Sequence, residues 1–446
     1  MKLTVLGGGG FRVPQVYQAL ASRGAPVRID ELALYDTSRE RLNVIDAVVA
    51  SMRPTGDAAP RVSATTNLDE AVRGADFVFC AIRVGGTAGR TLDERVALDL
   101  GVLGQETVGP GGLAYTLRTV PVMVAIARRV AALAPEAWFV NFTNPAGAVT
   151  EALTPVLGER VVGICDTPIG LVKRAARALG MEAAPSSIDY VGLNHLGWLR
   201  GIADDDGPQL PRLLADDAAL EGIEEARLMG LDWVRTLGAL PNEYLYYYYY
   251  TREAVARIRA GSATRGEFLA AQQSQFYLAA SEDRAAAGEM WTQVRATREA
   301  TYMAEARPEG EEGERDPQDL GGGYQQVALE LMAALAGGPR AHLILNVRGG
   351  GLVAGLPEDA VVEVPCRVDG SGMHALPVAP VGGHMLALMQ SVKASEQLMI
   401  EAALTGSRAT AWKAFAVHPL VDSVAVAREL CEGYGRAHPE LAWLAR

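Results

Sequence analysis

The opening of the chain constrains the fold most. Lys2–Leu6 reads as a buried strand, Gly7-Gly8-Gly9-Gly10 follows it, and an apolar-periodic helix starts at Val13. Glycines between a strand and a helix let backbone N–H groups approach a pyrophosphate at the helix N-terminus. A second strand, Glu31–Tyr35, ends at Asp36. A carboxylate at that spacing suits both ribose hydroxyls of a dinucleotide and repels the extra phosphate of NADP, so NAD is the expected cofactor. The run is not a full G-x-G-x-x-G, because Arg12 stands where a third glycine could be. A glycine run alone is equally a tight turn; strand, helix and Asp36 in register favour the nucleotide.

Further strands alternate with helical stretches: Arg61–Ala64, Phe77–Ile82, Trp138–Phe142 and Val161–Ile164. That alternation predicts an α/β, Rossmann-like, doubly wound parallel sheet over residues 1–165. Residues 166–446 are expected to form a mixed α+β catalytic, substrate and oligomerisation domain. Within them, 187–204 reads as sheet and 211–300 as mostly helical. Leu343–Val347 and Val361–Val368 read as strands, and 383–430 as long helices. The acidic stretch Glu305–Asp319 reads as a mobile loop, most simply a solvated linker.

A chain of 446 residues, 49% hydrophobic, can bury large cores in two or three domains. Net charge of -12, with no basic stripe, argues against nucleic acid as a partner. Four scattered cysteines without a C-x-x-C fit a reducing cytoplasm. A strand beginning at Lys2 leaves no room for a signal peptide. Arg128 and Arg129 cut the most apolar helix, 113–133, so no membrane span is expected.

In such sheets ligands bind at the carboxyl ends of strands. Polar clusters fall there: Cys80 to Arg90, the loop Gly104-Gln105-Glu106-Thr107, Asn141-Phe142-Thr143-Asn144-Pro145, Cys165-Asp166 and Asn194-His195. Singly, each has a structural reading as a core thiol, a bonded histidine or an Asn-Pro turn. Their convergence points to a site. Cys165 and His195, each at the mouth of an apolar strand, are candidates for one divalent metal.

Together with Gly7-Gly8-Gly9, Gly163-Ile164-Cys165, Gly192-Leu193-Asn194-His195, Asn242-Glu243-Tyr244-Leu245-Tyr246-Tyr247-Tyr248 and His418-Pro419-Leu420, these segments resemble glycoside hydrolase family 4, in family order across nearly the whole chain. That family comprises NAD- and metal-dependent glycosidases, an exception among glycosidases that use two carboxylates. The resemblance implies Mn²⁺ on Cys165 and His195. NAD would lie along Gly7, Gly8, Gly9, Gly10, Phe11, Arg12, Asp36, Asn141 and Asn144. The sugar would meet Arg90, Glu106, Asn144, Asn194 and Arg265, the two arginines facing a 6-phosphate. It further implies hydride removal at C3, proton removal at C2 by Tyr244, elimination, water addition and return of the hydride, with the metal as Lewis acid. A tyrosine near its usual pKa of about 10 needs a metal or cation nearby to act as a base.

Asp166 is either a leaving-group acid or a group supporting the metal. Many β-type members have Asn at that place, and some α-type members have Asp. The family commonly opens Gly-Gly-Gly-Ser followed by Thr-Pro, whereas this chain reads Gly10-Phe11-Arg12-Val13-Pro14. Arg12 thus faces a pyrophosphate or sugar phosphate, or is a surface residue of the first helical turn. The expected activity is a 6-phospho-β-glucosidase acting on a small-molecule (phospho)glycoside, as a homodimer or homotetramer. The alternatives are a relative acting on α-linked or unphosphorylated sugars, and a 2-hydroxy-acid dehydrogenase.

Overall fold

The computed structural model describes residues 1–53, 59–181, 187–301 and 323–446. The acidic stretch Glu305–Asp319 lies outside them. The strands are β1 (Lys2–Leu6), β2 (Glu31–Tyr35), β3 (Arg61–Thr65), β4 (Phe77–Cys80), β5 (Trp138–Asn141), β6 (Val161–Gly163), β7 (Ser187–Leu193), β8 (Leu196–Asp204), β9 (Gly207–Pro208), β10 (Leu240–Pro241), β11 (Ala341–Arg348), β12 (Val361–Asp369) and β13 (Gly372–Ala375). They form one 13-stranded sheet in the order β10-β8-β7-β12-β11-β6-β5-β4-β1-β2-β3, with β13 on β12 and β9 on β8.

Strands β1 to β6 pair in parallel, in the order 3-2-1-4-5-6 of dinucleotide-binding sheets. β4 and β6 are apolar throughout, and the middles of β1, β2 and β5 are buried, because both faces are covered; β3, at the sheet edge, stays partly exposed. Phe77 and Phe79 of β4 enter one core and Val78 and Cys80 the other, as strand alternation requires. The α/β, Rossmann-like reading therefore holds.

Beyond β6 the sheet turns antiparallel. A single register pair, Gly163 with Asn346, joins β6 to β11; β11 pairs with β12 along its length, with Asn346 opposite Glu363, and a single pair, Glu363 with Gly192, joins β12 to β7. Gly163 is needed here, since a Cβ on it would lie 2.9 Å from the Cβ of Asn346. Two residues after Gly163 comes Cys165, and three after Gly192 comes His195. The glycines of both motifs therefore belong to the seam, and the seam carries both motifs to one place.

A buried ion cluster ties the long helix Gly383–Thr405 to this sheet. Lys393, 1% exposed, gives its ammonium to Glu151 at 2.8 Å and to Glu396 at 2.6 Å. Glu151 also accepts the Val361 N–H at 2.8 Å and the Gln397 amide at 2.9 Å. Burial opposes the charge on Lys393, but the two carboxylates raise its pKa above the usual lysine value. Replacing it strands two carboxylates without a counter-ion. We expect Lys393→Ala to lose about 3–5 kcal/mol of unfolding free energy, measured by urea titration. An unchanged midpoint would show that the cluster contributes no net stability.

Candidate active site

A cleft of about 1330 Å³ opens along the carboxyl ends of β1, β2, β4, β5 and β6. Gly7, Gly10, Phe11, Arg12, Asp36, Arg90, Glu106, Asn144, Cys165, Asp166, Asn194, His195, Tyr244 and Arg265 all line it. Sequence positions more than 250 residues apart thus meet in one cavity.

At one end, Gly7 takes φ 88° and passes so close to β4 that a Cβ would lie 2.7 Å from the Ala81 carbonyl. Gly8 and Gly9 sit behind the lining and fix the loop: Gly8 N–H donates to the Tyr35 carbonyl at 2.6 Å, and Gly9 N–H to Asp36 Oδ2 at 3.1 Å. Phe11 is chiefly an anchor. Its ring packs on Phe276 and Trp291, and its carbonyl accepts the Trp291 indole N–H at 2.8 Å. Arg12 lies over the rings of Phe142 and Tyr324, at 5.6 and 5.3 Å. This half of the cleft fits a dinucleotide: a glycine turn at a helix start, with a carboxylate closing β2.

Asn141 is a correction. It is fully buried and does not line the cleft. Its amide donates to the Thr143 and Ala146 carbonyls and to Thr150, and its oxygen accepts the Thr143 N–H. These bonds shape the loop that presents Asn144.

At the other end, His195 is held at φ 63°, a left-handed conformation that a non-glycine residue keeps only when its surroundings fix it. Its Nδ1 lies 2.8 Å from the Thr107 hydroxyl, which leaves Nε2 as the available donor. Burial lowers its pKa to about 4, so the ring is neutral at physiological pH, as a metal ligand must be. Cys165 is 4% exposed, and burial, then Glu363 and Asp166, push its thiol well up. Among the described residues no group of three His, Cys, Asp or Glu converges to hold a metal. A two-donor thiol–imidazole site fits a divalent ion whose other positions are filled by small oxygen ligands. Tyr244 stacks flat on His195, with centroids 3.7 Å apart and planes 8° apart.

Between the two ends lie arginines. Glu106 pairs with Arg83 and, at 2.5 Å, with Arg90, which also bonds Glu94 at 2.7 Å. Burial raises the Glu106 pKa, but Arg83 and Arg90 overcome it and hold the carboxyl at about 2. Arg265 donates to the Thr301 and Arg298 carbonyls at 3.0 Å. Arg298 was not singled out in the sequence, where its helix looks like a solvated charged face. Its pKa falls to about 9, first from burial, then from Arg12, Arg265, Arg83 and Arg90.

Models of the family 4 glycosyl hydrolases match residues 2–181, and models of their C-terminal domain match residues 190–421. The chain belongs to glycosyl hydrolase family 4. A probable 6-phospho-beta-glucosidase of Bacillus subtilis (strain 168) is 29% identical, with 98% of this chain and 96% of that protein covered. The 6-phospho-beta glucosidase of Thermotoga maritima, solved with manganese, NAD⁺ and glucose-6-phosphate, has a TM-score of 0.81 at 26% identity, covering 99% of both chains. A 6-phospho-alpha-glucosidase from gut microorganisms, solved with NAD and Mn²⁺, has a TM-score of 0.78 at 26% identity, covering 98% and 97%. The family is thus a glycoside hydrolase family whose solved members include both anomeric types.

In this family 4 chain, Glu106 is the counter-ion of two cleft arginines, which gives a pH signature. Its folded pKa of about 2 lies below the ordinary 4.5, so its stabilisation is complete above pH 4.5 and is lost as pH falls toward 2. We expect Glu106→Gln to cost about 3 kcal/mol at neutral pH, the difference from wild type shrinking between pH 4.5 and 2. Denaturant unfolding across that range checks it, and a pH-independent difference contradicts it.

Proposed function

We propose that this chain cleaves 6-phosphoglucosides, β-linked ones first, with NAD and a divalent metal such as Mn²⁺ in the cleft. The observation that carries the reading is one cleft in which cations of Arg12 and Arg298, without an acidic partner among the described residues, lie in the same lining as Cys165, His195 and Tyr244. A sugar phosphate would offset the burial, and the repulsion from neighbouring arginines, that together depress the Arg298 pKa. Arg90 and Arg265 already hold protein acceptors, so they serve as supports of that pocket.

When bound, NAD supplies reversible hydride exchange and the metal supplies Lewis-acid stabilisation of charge next to a carbonyl carbon. The chain's own residues do the rest. Cys165 and His195 hold the ion, with Thr107 fixing the imidazole tautomer. Tyr244, clamped on His195, takes the C2 proton. Asn144 and Asn194 offer amides to sugar oxygens. Asp166 lines the cleft and its carboxylate has no hydrogen-bond partner among the described residues, which suits proton delivery to a leaving group. That placement favours α-linked substrates as the second reading.

The direct test is release of p-nitrophenol from aryl glucosides, α and β, with and without a 6-phosphate, under reducing conditions with NAD and Mn²⁺. Phosphorylated substrates should turn over without net NADH. Net NADH matched to product would favour a dehydrogenase instead. Arg298→Met should lower kcat/KM for phosphorylated substrates about 10–100-fold and leave unphosphorylated ones nearly unchanged. Tyr244→Phe keeps the stacked ring and removes the hydroxyl; turnover and C2 exchange with deuterated solvent should both fall by about 10² or more. Near-normal exchange in that variant would move the base elsewhere.

A further inference from the structure

The adenosine end of the cleft holds a cradle that one side chain fills. Asp36 is bound on both oxygens by backbone donors: Gly9 N–H reaches Oδ2 at 3.1 Å and Ser38 N–H reaches Oδ1 at 3.0 Å. Arg41 lies beside it, its guanidinium 4.1 Å from the centroid of the Tyr277 ring. Arg41 Nε is 3.4 Å from the Gly9 carbonyl, and Nη2 is 3.5 Å from Gln273 Oε1. Both residues press on one glycine: a Cβ on Gly9 would lie 2.8 Å from Arg41 Cβ and 3.0 Å from Asp36 Oδ2. Asp36, Ser38 and Arg41 all line the cleft. Among the described residues Arg41 forms no ion pair, so its charge is offset only by neutral oxygens and the face of an aromatic ring.

Two backbone N–H groups beside an unneutralised guanidinium suit a tetrahedral dianion better than a single carboxylate. Asp36 occupies the two N–H groups without reaching Arg41. We infer that Asp36 and Arg41 together set cofactor choice: the Asp36 carboxylate plugs a cradle that, once that charge is gone, accepts the 2′-phosphate of NADP. The inference rests on the reading of this cleft as a dinucleotide site. It adds a second residue to the choice, Arg41, and makes the exclusion of NADP reversible by one substitution.

Calorimetric binding of NAD and of NADP to the full chain tests it without turnover. Wild type should bind NAD and strongly discriminate against NADP. Asp36→Ser and Asp36→Asn should each bind NADP at least about tenfold tighter than wild type does, the scale of one charge-assisted contact. Asn keeps an acceptor for the Gly9 N–H if Ser lets the loop slacken. Adding Arg41→Ala to either variant should abolish that gain and change NAD affinity by less than about threefold, because NAD carries a neutral hydroxyl and no phosphate at that place. Three results would overturn the inference: Asp36 variants that bind NAD but gain nothing for NADP, a gain that survives Arg41→Ala, or equal weakening of both dinucleotides by Arg41→Ala, which would put Arg41 on the shared pyrophosphate. A wild type that binds neither dinucleotide would instead remove the underlying reading of the cleft, and the inference with it.

Discussion

A buried carboxylate at the seam of the sheet organises everything around it. Glu363 is fully buried on β12, between β11 and β7, next to the strand that meets the parallel half. It accepts the Asn346 amide at 2.9 Å, the Tyr190 hydroxyl at 3.1 Å and the Asn194 amide at 3.5 Å. Burial raises its pKa to about 7 against those three donors. A charge so far from water is tolerable only when its lone pairs are filled. Satisfying it therefore fixes β7, β11 and β12 relative to β6. Asn194 precedes His195, and Tyr190 accepts the Asn242 amide at 3.4 Å, while Asn242 accepts the Tyr244 N–H at 2.9 Å. One carboxylate thus connects the segments that carry the imidazole and the stacked tyrosine.

The second organising constraint is local charge. The chain as a whole is acidic, at -12, yet its cleft gathers Arg12, Arg83, Arg90, Arg265 and Arg298. Glu94 and Glu106 neutralise only part of that cluster. Net charge governs solubility and encounter, whereas a cleft with low-dielectric walls focuses the few charges that line it.

Much of this was legible in the sequence, for identifiable reasons. Strands covered on both faces read as unbroken apolar runs, so β1, β2, β4, β5 and β6 stand out. Gly163 and Gly192 stand in the sequence only as parts of the segments that carry the resemblance; that strands approach closely there is seen in the structure. Asn141 was misplaced because a polar residue at a strand end looks the same whether it faces a ligand or its own loop. Arg298 was invisible because an arginine on an amphipathic helix looks solvated until another element buries it. Arg90 and Arg265 were placed in the cleft, but their partners come from Glu94, Glu106, Arg298 and Thr301, contacts that spacing alone does not reveal. The tyrosine run separates only in three dimensions. Tyr244 lies on His195, while Tyr249 accepts the Trp198 indole N–H and Tyr250 bonds the Met229 carbonyl.

The central claim is that Cys165 and His195, which line the same cleft, hold one divalent metal. Electron paramagnetic resonance of free Mn²⁺, titrated against the reduced protein, reads that binding directly and without turnover. The account predicts one Mn²⁺ site in wild type, and at least about tenfold weaker binding in both Cys165→Ser and His195→Ala. Wild-type affinity in either variant would contradict it.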